Sequence, residues 1–293
     1  MDFSRIASLI DVPRMQRSRV TLVGNGGGAN LCRNLVRCGV GHLDLVDFDK
    51  IEAVNICRQE HMQDDIGRLK VAALSAELRR INPEVSVACF PRNFCAFADD
   101  EIDAQFGSTD LFVFAVDNLP ANARGNATAL RLRKPAVWSG VYPGGRAGEI
   151  VFWHPGVKSC YRCLVPARYR AHERGELKAA PVESADVLSV QHIDSITGMI
   201  AVGLLTQGAD NFYGRLIEKL GQRNFLQVKV DPDYTWNGRD VFREQLQIPA
   251  SCDAYFSFVT IARKDPDDGE PPCPDCRTFL GRLDQLPPGS IGG

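Results

Sequence analysis

Hydrophobic positions follow two different periods along the first half of the chain, and the two periods alternate. Short apolar runs rich in β-branched residues indicate buried strands, whereas apolar residues at every third or fourth position indicate helices. The clearest strand is Val20–Val23, which stops at a glycine-rich turn, Gly24–Ala29, before helical spacing resumes over Leu31–Cys38. The other predicted elements are strands at Leu43–Asp49, Val85–Phe90, Asp110–Val116, Pro135–Ser139 and Gly148–Trp153, and helices at Phe3–Ile10, Gly67–Arg80 and Ala121–Leu132. Strands that alternate with helices predict an α/β fold, a Rossmann-like doubly wound sheet that is mainly parallel.

The pattern changes in the second half of the chain. A polar stretch without periodicity, Val165–Val190, predicts a functional or mobile crossover loop over residues 164–195, and an apolar helix follows at Ser195–Gln207. Three later runs predict a small antiparallel C-terminal portion, with strands at Phe225–Val230, Asp240–Gln247 and Ala254–Ile261. We expect a single domain over residues 1–285 and a disordered tail, rich in proline and glycine, at 286–293.

The glycine turn suits the binding of a phosphate group. Glycines let a backbone approach a phosphate without a Cβ atom in the way, and the helix that follows supplies unpaired N–H groups and the positive end of its dipole. The next strand ends in an acid, Asp47, about twenty residues further on, where a Rossmann-type site places a carboxylate on a ribose hydroxyl. The turn therefore predicts a nucleotide-binding βαβ unit, against the alternative of a glycine turn without a ligand.

Polar residues that follow the later strands also favour an anionic ligand. Asn55 and Arg58 are three residues apart on a predicted helical turn, so they project on one side. Lys70 lies in the first turn of a helix, where the helix dipole favours an acid over a base, so an anion is expected nearby. Asp117 follows the most apolar strand, and a carboxylate at the carboxyl end of a parallel strand suits a Mg²⁺ ion that bridges to phosphate oxygens.

The charge of the chain excludes some classes of partner. A formal net charge of −2 over 293 residues argues against strong sequence-independent binding to nucleic acids or membranes. No apolar signal-peptide region is visible near the start, and the longest apolar stretch, Ile196–Leu205, is about half of a membrane span. We therefore expect a cytoplasmic protein without a nucleic-acid or membrane partner.

The cysteine spacing predicts a metal site. Four of the ten cysteines form two C-x-x-C pairs, Cys160 with Cys163 and Cys273 with Cys276. In a cytosolic protein two such pairs are typical of one structural tetrahedral zinc site, with a thioredoxin-like redox pair or coincidence as alternatives. Most of the others are expected to be buried core residues. They are Cys32, Cys38, Cys57, Cys89, Cys95 and Cys252.

Taken together, these motifs resemble those of the ThiF/MoeB adenylyltransferases, the bacterial relatives of the ubiquitin-activating enzymes. The matching residues are the glycine turn, Asp47-Phe48-Asp49, Asn55-x-x-Arg58-Gln59, Lys70, Ile81-Asn82-Pro83, Asp117-Asn118 and the two cysteine pairs, in the family's order over about residues 3–276. The resemblance implies an ATP site formed by Gly24, Gly26, Gly27, Asp47, Asp49, Asn55, Arg58, Gln59, Lys70, Asp117 and Asn118. Within that set Asp47 would hold the ribose, and Asp117 would hold Mg²⁺. Asn55, Arg58 and Lys70 would hold the triphosphate.

The resemblance also implies a reaction and partners. The C-terminal carboxylate of a ubiquitin-like or sulfur-carrier protein, generally a β-grasp fold ending in Gly-Gly, would attack the α-phosphorus of ATP and release pyrophosphate. In family dimers an arginine near the N-terminus reaches the ATP of the other copy, and Arg5 is the candidate here. The catalytic residues would then be Arg5, Arg58, Lys70 and Asp117, in a homodimer that hands its product to another enzyme such as a sulfurtransferase.

Departures from the family pattern leave alternatives open. Ala29 stands where a third glycine is frequent, and Glu183–Asp186 stands where relatives that form a thioester or persulfide usually carry a cysteine. Residues 164–251 contain no cysteine, which favours an enzyme that leaves the acyl-adenylate for another nucleophile. One alternative is a ubiquitin-activating-type enzyme that forms a thioester on a displaced cysteine, Cys252 or Cys57, and passes the protein to a conjugating enzyme. The other is adenylation of a peptide or small carboxylate, or a non-catalytic scaffold that binds nucleotide.

Overall fold

One mixed sheet forms the centre of the molecule. The computed structural model describes residues 1–176, 185–231, 233–235, 238–240, 243, 244, 247, 249, 259–262 and 272–281. Its strands are β1 (Arg19–Val23), β2 (His42–Val46), β3 (Ser86–Phe90), β4 (Leu111–Phe114), β5 (Ala136–Val141), β6 (Ala147–Trp153), β7 (Phe225–Lys229) and β8 (Val259–Ala262). They form an eight-stranded sheet in the order β3-β2-β1-β4-β5-β6-β7-β8. The pairs among β1 to β5 are parallel, and those from β5 through β8 are antiparallel. This order confirms the predicted fold class.

Helices cover both faces of the sheet. They are α1 (Val12–Arg17), α2 (Ala29–Arg37), α3 (Lys70–Ile81), α4 (Asp99–Phe106), α5 (Leu119–Leu132), α6 (Tyr161–Leu164), α7 (Pro166–Glu173), α8 (Val187–Leu205), α9 (Phe212–Leu220) and a C-terminal helix, Pro274–Phe279. Buried residues of α1, α2, α3, α8 and α9 join one apolar core with strand residues such as Leu22 and Val137. Residues of α4 to α7 join a second core with Phe112 and Trp138. Two cores on opposite faces make the sheet doubly wound.

The N-terminal helix lies further along the chain than predicted. Residues of Phe3–Ile10 form turns, with hydrogen bonds such as Leu9 N–H to Ile6 O (2.9 Å), so the helix predicted there is wrong. The helix instead begins after Asp11, whose side chain accepts a hydrogen bond from the N–H of Arg14 (3.1 Å). A capping acid followed by a proline in the first turn is a favourable helix start.

The crossover stretch contains more helix than predicted. Part of the interval 164–195 is occupied by α7, and α8 begins at Val187 rather than at Ser195. The start of α8 is stabilised by Asp186, which accepts hydrogen bonds from Leu188 N–H (2.8 Å) and Ser189 N–H (3.1 Å). By length and composition α8 could cross a membrane. In this fold it packs against α2, α9, β5 and β6, which accounts for its apolar character.

The C-terminal part agrees with the prediction only in places. The strand β7 lies within a predicted run, and β8 overlaps another and ends one residue beyond it, but Arg243 and Glu244 are helical where Asp240–Gln247 was predicted to be a strand. Glu244 N–H donates to Asp240 O (3.1 Å), a bond between residues four apart, as in a helix. Cys252 and the predicted disordered tail at 286–293 lie outside the described residues.

Candidate functional site

The glycine turn follows β1 and is closely packed on the end of β4. Gly24 has a φ of +93°, and a Cβ atom there would lie 2.4 Å from the carbonyl oxygen of Ala115. At Gly28, the residue that caps α2, a Cβ would lie 2.6 Å from Gly24 O. These two glycines are therefore required by the fold itself. Their packing brings the residues after β4, Ala115 and Val116, against the turn, and Asp117 is the next residue along the chain.

The middle of the turn is different. A Cβ atom at Gly26 would lie 2.9 Å from Nε2 of Gln59, so that side chain lies directly on the backbone of the turn. A Cβ at Gly27 would have Val190 Cγ1, at 3.7 Å, as its nearest neighbour, which is an ordinary van der Waals distance. Within the described part of the chain, protein atoms therefore do not explain a glycine at this position, whereas close approach by a ligand would.

Asp47 connects the turn to the loop beyond β2. Its Oδ2 accepts a hydrogen bond from Asn25 N–H (2.7 Å), and its Oδ1 accepts one from Asp49 N–H (2.8 Å). The side chain of Asn25 also donates to Val46 O (3.0 Å). Burial raises the pKa of Asp47 above its usual value in spite of these two bonds and of the nearby Lys70. Each carboxylate oxygen keeps a second lone pair, so Asp47 could also accept a hydrogen bond from a ribose.

Lys70 begins α3 and forms an ion pair with Asp49. The distance from Nζ to Asp49 Oδ2 is 2.9 Å, and the lysine side chain is only 8% exposed, against 50% for the aspartate. An ammonium group has three donors, so Lys70 could keep this contact and still donate to a phosphate. The pair explains in part why a lysine is tolerated in the first turn of the helix.

Residues 55–59 form the segment whose last residue, Gln59, contacts the glycine turn. Asn55 is buried at the end of a 3₁₀ helix, Ala53–Asn55, and its Oδ1 accepts from Glu52 N–H (3.0 Å). Arg58 is half-buried. Gln59 is buried, and its Oε1 has no hydrogen-bond partner among the described residues. A buried acceptor without a donor is costly, so a ligand or a water is expected there.

Asp117 and Asn118 follow β4 and are both exposed. The side chain of Asn118 accepts a hydrogen bond from Ala121 N–H (2.9 Å) and caps α5. The capping role alone accounts for an asparagine at position 118, so no ligand is needed to explain it. Asp117, by contrast, precedes the cap, and its side chain makes no hydrogen bond or ion pair with the described residues, so it could coordinate a cation at the carboxyl edge of the sheet.

The four cysteines of the two C-x-x-C pairs meet on the second core. Their sulfur atoms all lie within 4.8 Å of one another, with separations of 3.8 Å (Cys160 to Cys163), 3.5 Å (Cys160 to Cys273) and 3.7 Å (Cys163 to Cys276). Four thiolates around zinc at Zn–S distances of about 2.3 Å form a tetrahedron whose edges are about 3.8 Å. The cluster could therefore hold a metal ion, and its dimensions fit zinc.

The other candidate residues are scattered. Arg5 is exposed in the N-terminal turns, and Cys57 is exposed with its Sγ 3.6 Å from Val54 O. Two residues missed by the sequence analysis also support the turn: Asn25, described above, and His61, whose Nε2 lies 3.2 Å from Asn25 O. A carbonyl oxygen only accepts, so this histidine nitrogen carries the proton. No pattern in the sequence indicates either contact, because both join segments distant along the chain.

This arrangement agrees with the comparison to known families. The ThiF family model matches residues 3–227. The chain belongs to the ThiF family. The matched residues include the glycine turn, Asp47 and the first cysteine pair, and the match confirms the family that the sequence motifs predicted.

Two relatives illustrate the range of the family. Ubiquitin-like modifier-activating enzyme 5 of Culex quinquefasciatus is 33% identical over 177 residues, which are 57% of this chain and 44% of the relative. Sulfur carrier protein adenylyltransferase of Thermus thermophilus is 34% identical over 160 residues, 52% of this chain and 57% of the relative. The chain thus spans about half the length of the curated relatives it matches.

Solved structures share the fold at lower identity. E. coli MccB, crystallised with AMPCPP and selenomethionine MccA, superposes with a TM-score of 0.59 at 20% identity, over 74% of this chain and 62% of that one. PaaA superposes with a TM-score of 0.60 at 19% identity, over 80% of this chain and 82% of that one. These two structures therefore share the fold described above.

Proposed function

We propose that this chain is an adenylyltransferase, which uses ATP and Mg²⁺ to activate the C-terminal carboxylate of a ubiquitin-like or sulfur-carrier protein. The observation that carries the proposal is the meeting of five segments at the carboxyl edge of the sheet: the glycine turn, the residues after β2 and after β4, residues 55–59, and the start of α3, where Lys70 pairs with Asp49. Gly24 packs on the end of β4, Gly26 on Gln59, and Asp47 bonds to the turn. The names of two relatives, a ubiquitin-like modifier-activating enzyme and a sulfur carrier protein adenylyltransferase, support this substrate class.

In this reaction the protein mainly has to position the two substrates and neutralise the charge on the phosphates. A C-terminal carboxylate is already ionised at neutral pH, so no general base is needed. One of its oxygens forms a bond to the α-phosphorus while the bond from that phosphorus to the bridging oxygen breaks, and pyrophosphate leaves with the electron pair. Arg58 and Lys70 would neutralise the charge on the phosphates, and Asn55 would orient them.

The nucleoside end of ATP would lie beyond β2. In this proposal Asp47 accepts a hydrogen bond from a ribose hydroxyl, with Asp49 beside it. Gly27 lets a phosphate approach the turn, and the N-terminus of α2 stabilises its charge. Asp117 would hold Mg²⁺ with waters completing the coordination. Arg5 would act on the ATP of the other copy in a homodimer.

The cysteine cluster would hold zinc in a structural role. All four positions of a tetrahedral site are taken by protein sulfur, so none is left for a substrate. No step of the adenylation is routed through this ion. Its proposed contribution is to join the C-terminal helix to the segment that enters α6.

Intact-mass spectrometry tests the proposed reaction. The purified protein is mixed with Mg-ATP and a panel of β-grasp proteins that end in Gly-Gly, with one truncated by the last two glycines as the matched control. A full-length partner that gains AMP, while the truncated one does not, supports the proposal. A thiol-labile adduct between partner and enzyme indicates the thioester alternative, in which Cys57 or Cys252 is the first to be mapped. Adenylation of a peptide alone, or no adduct with any partner, contradicts the proposed substrate class.

A further inference from the structure

Glu60 directly follows residues 55–59 and has an unusual backbone conformation. Its φ is +42°, in the left-handed region that residues with a side chain rarely adopt. Such a conformation persists only where the surroundings impose it, and it is concentrated at functional sites. Something must therefore hold Glu60, and what holds it also sets the course of the chain next to Arg58 and Gln59.

A buried arginine on α2 supplies that restraint. Arg33 is 5% exposed, and its NH2 donates to the backbone oxygen of Glu60 (2.7 Å) while its NH1 donates to Glu60 Oε2 (3.1 Å). The same guanidinium forms a bidentate pair with Glu77 of α3, with both distances 2.6 Å. The amide of Gln191, on α8, also donates to Glu60 Oε1. A contact to the backbone oxygen restrains the peptide itself, and not only the side chain.

The residues on either side of Glu60 both contact the glycine turn. Gln59 lies against Gly26, and His61 Nε2 donates to Asn25 O (3.2 Å). The direction in which these two side chains point depends on the backbone between them. A change of φ at Glu60 to the ordinary negative region would move at least one of them off the turn.

We propose that Arg33 is a positioning residue for the nucleotide site. By holding Glu60 in its left-handed conformation, Arg33 fixes Gln59 and His61 against the glycine turn, and it acts on the site only through Glu60. The identity of the ligand rests on the proposed function above. The restraint itself does not, since it is a property of the free protein.

The substitution Glu60→Gly distinguishes the proposed positioning role of Arg33 from a role in packing alone. Without Arg33, the carboxylates of Glu60 and Glu77 lose the cation between them and Glu60 is free to relax. A glycine at position 60 adopts a positive φ without steric cost and removes one of the two carboxylates. The double variant Arg33→Met/Glu60→Gly is therefore expected to recover the function that Arg33→Met loses.

The test measures Mg-ATP affinity by calorimetry and amide hydrogen exchange of residues 58–61 in the free protein. Arg33→Met is expected to weaken ATP binding roughly ten- to hundredfold and to speed exchange, and the double variant to restore both to within a few-fold. Arg19→Met is the matched control, because it removes a guanidinium from the buried Asp44 (3.1 Å) at the opposite edge of the sheet. It is expected to lower the melting temperature and leave ATP affinity unchanged.

Two results would overturn the inference: an Arg33→Met variant with wild-type affinity and exchange, or a folded double variant that recovers neither. If Arg33→Met does not fold, Arg33→Lys keeps the charge but loses the planar fork, and the same direction of change is expected. If the wild-type protein does not bind ATP, the proposed function is wrong, and exchange at residues 58–61 alone then decides whether Arg33 restrains the segment.

Discussion

The nucleotide edge and the cysteine cluster both gather residues from distant parts of the chain, but they differ in how their polar groups are satisfied. At the cluster, Asn126 is fully buried; its amide donates to Asp275 (2.7 Å) and to Cys160 Sγ (3.6 Å), and its oxygen accepts from Tyr161 N–H (3.1 Å). At the edge, Gln59 Oε1 and Asn25 Oδ1 are buried without a partner within the described part of the chain. Asn126 is therefore satisfied by the protein alone, whereas these two oxygens at the edge are not.

This difference distinguishes a region that stabilises the fold from a region that binds a ligand. A buried acceptor that lacks a donor costs about 1–3 kcal/mol, and a left-handed glutamate adds to that cost. A ligand that donates hydrogen bonds to the two oxygens would remove their part of that cost. The cluster needs only a metal ion at its centre. Arg162 also links the segments around it through ion pairs with Asp275 (2.9 Å) and Glu173 (2.7 Å). We infer that the cluster, whose four sulfur positions leave no room for a substrate, stabilises the fold and that the edge carries the chemistry.

Removal of the metal is expected to have the largest effect on stability. Stripping zinc with a chelator, or Cys160→Ser, should destabilise the fold by several kcal/mol because four thiols would be left together without their ion. ATP affinity of the protein that remains folded should change much less. Elemental analysis and thermal unfolding with and without chelator measure both. Well-folded protein with about zero zinc per chain would contradict the structural role.

Asp117→Ala is expected to have the largest effect on activity. Loss of the carboxylate that would hold Mg²⁺ should lower pyrophosphate exchange by roughly a thousandfold or more. The melting temperature should stay the same, because the side chain is exposed. Asp103→Asn, which affects an exposed acid paired with Arg131, serves as the control and should change neither quantity. Unchanged exchange in Asp117→Ala would remove this residue from the metal site.

The two glycines Gly24 and Gly27 provide a sharper comparison within the turn. Gly24→Ala should destabilise the fold by about 1–3 kcal/mol, since φ is positive and the methyl would meet Ala115 O. Gly27→Ala should leave stability nearly unchanged and weaken ATP binding by at least roughly tenfold, since its methyl would occupy space that only a ligand needs. Urea denaturation and calorimetry measure the pair. Wild-type ATP affinity in Gly27→Ala would mean that no phosphate approaches there.

The smallest expected effect concerns a buried acid between the two helices that flank the edge. Asp194 of α8 lies at the start of α2, where Leu31 N–H and the side chain of Asn30 are within hydrogen-bonding reach, and burial raises its pKa well above the usual value. A folded state that holds this proton more tightly than the unfolded chain gains stability below about pH 4, and loses it as the pH rises through the folded-state pKa. Asp194→Asn has no proton to lose.

The stability of the wild-type protein relative to Asp194→Asn should therefore fall as the pH is raised from about 4. Urea denaturation of both proteins across that range measures the difference. A difference that does not change with pH would show that Asp194 titrates alike in the folded and unfolded states.

Local patterns predicted most of the sheet. The strand at Val20–Val23 and the helix after the glycine turn carry their own periodicity, and the observed β1 and α2 differ from the prediction by only one or two residues at each end. Several helices were not predicted: α4, α6, α7, α9 and the C-terminal helix. In α4 an acidic first turn, Asp99–Glu101, precedes only two buried side chains, so the apolar pattern is too short to indicate a helix.

The start of α8 and the support of the site depend on tertiary contacts. Gln191 and Asp194 interrupt the apolar pattern, so the sequence suggested a helix from Ser195; in the fold both face polar partners on neighbouring segments. The residues of the glycine turn and the cysteine pairs could be predicted because their spacing is local. The contact between Arg33 and Glu60 could not be predicted, because the two residues are 27 positions apart. The positive φ of Glu60 could not be predicted either, because nothing in the sequence around a glutamate indicates that conformation.

The most direct test is the footprint of Mg-ATP in amide hydrogen exchange of the wild-type protein. We expect protection over residues 24–31, 55–61 and 117–121, with no change around Cys160 and Cys276. That result would place the nucleotide at the incomplete edge and leave the cluster as support. Protection around the cysteine pairs without any at the glycine turn would contradict the account.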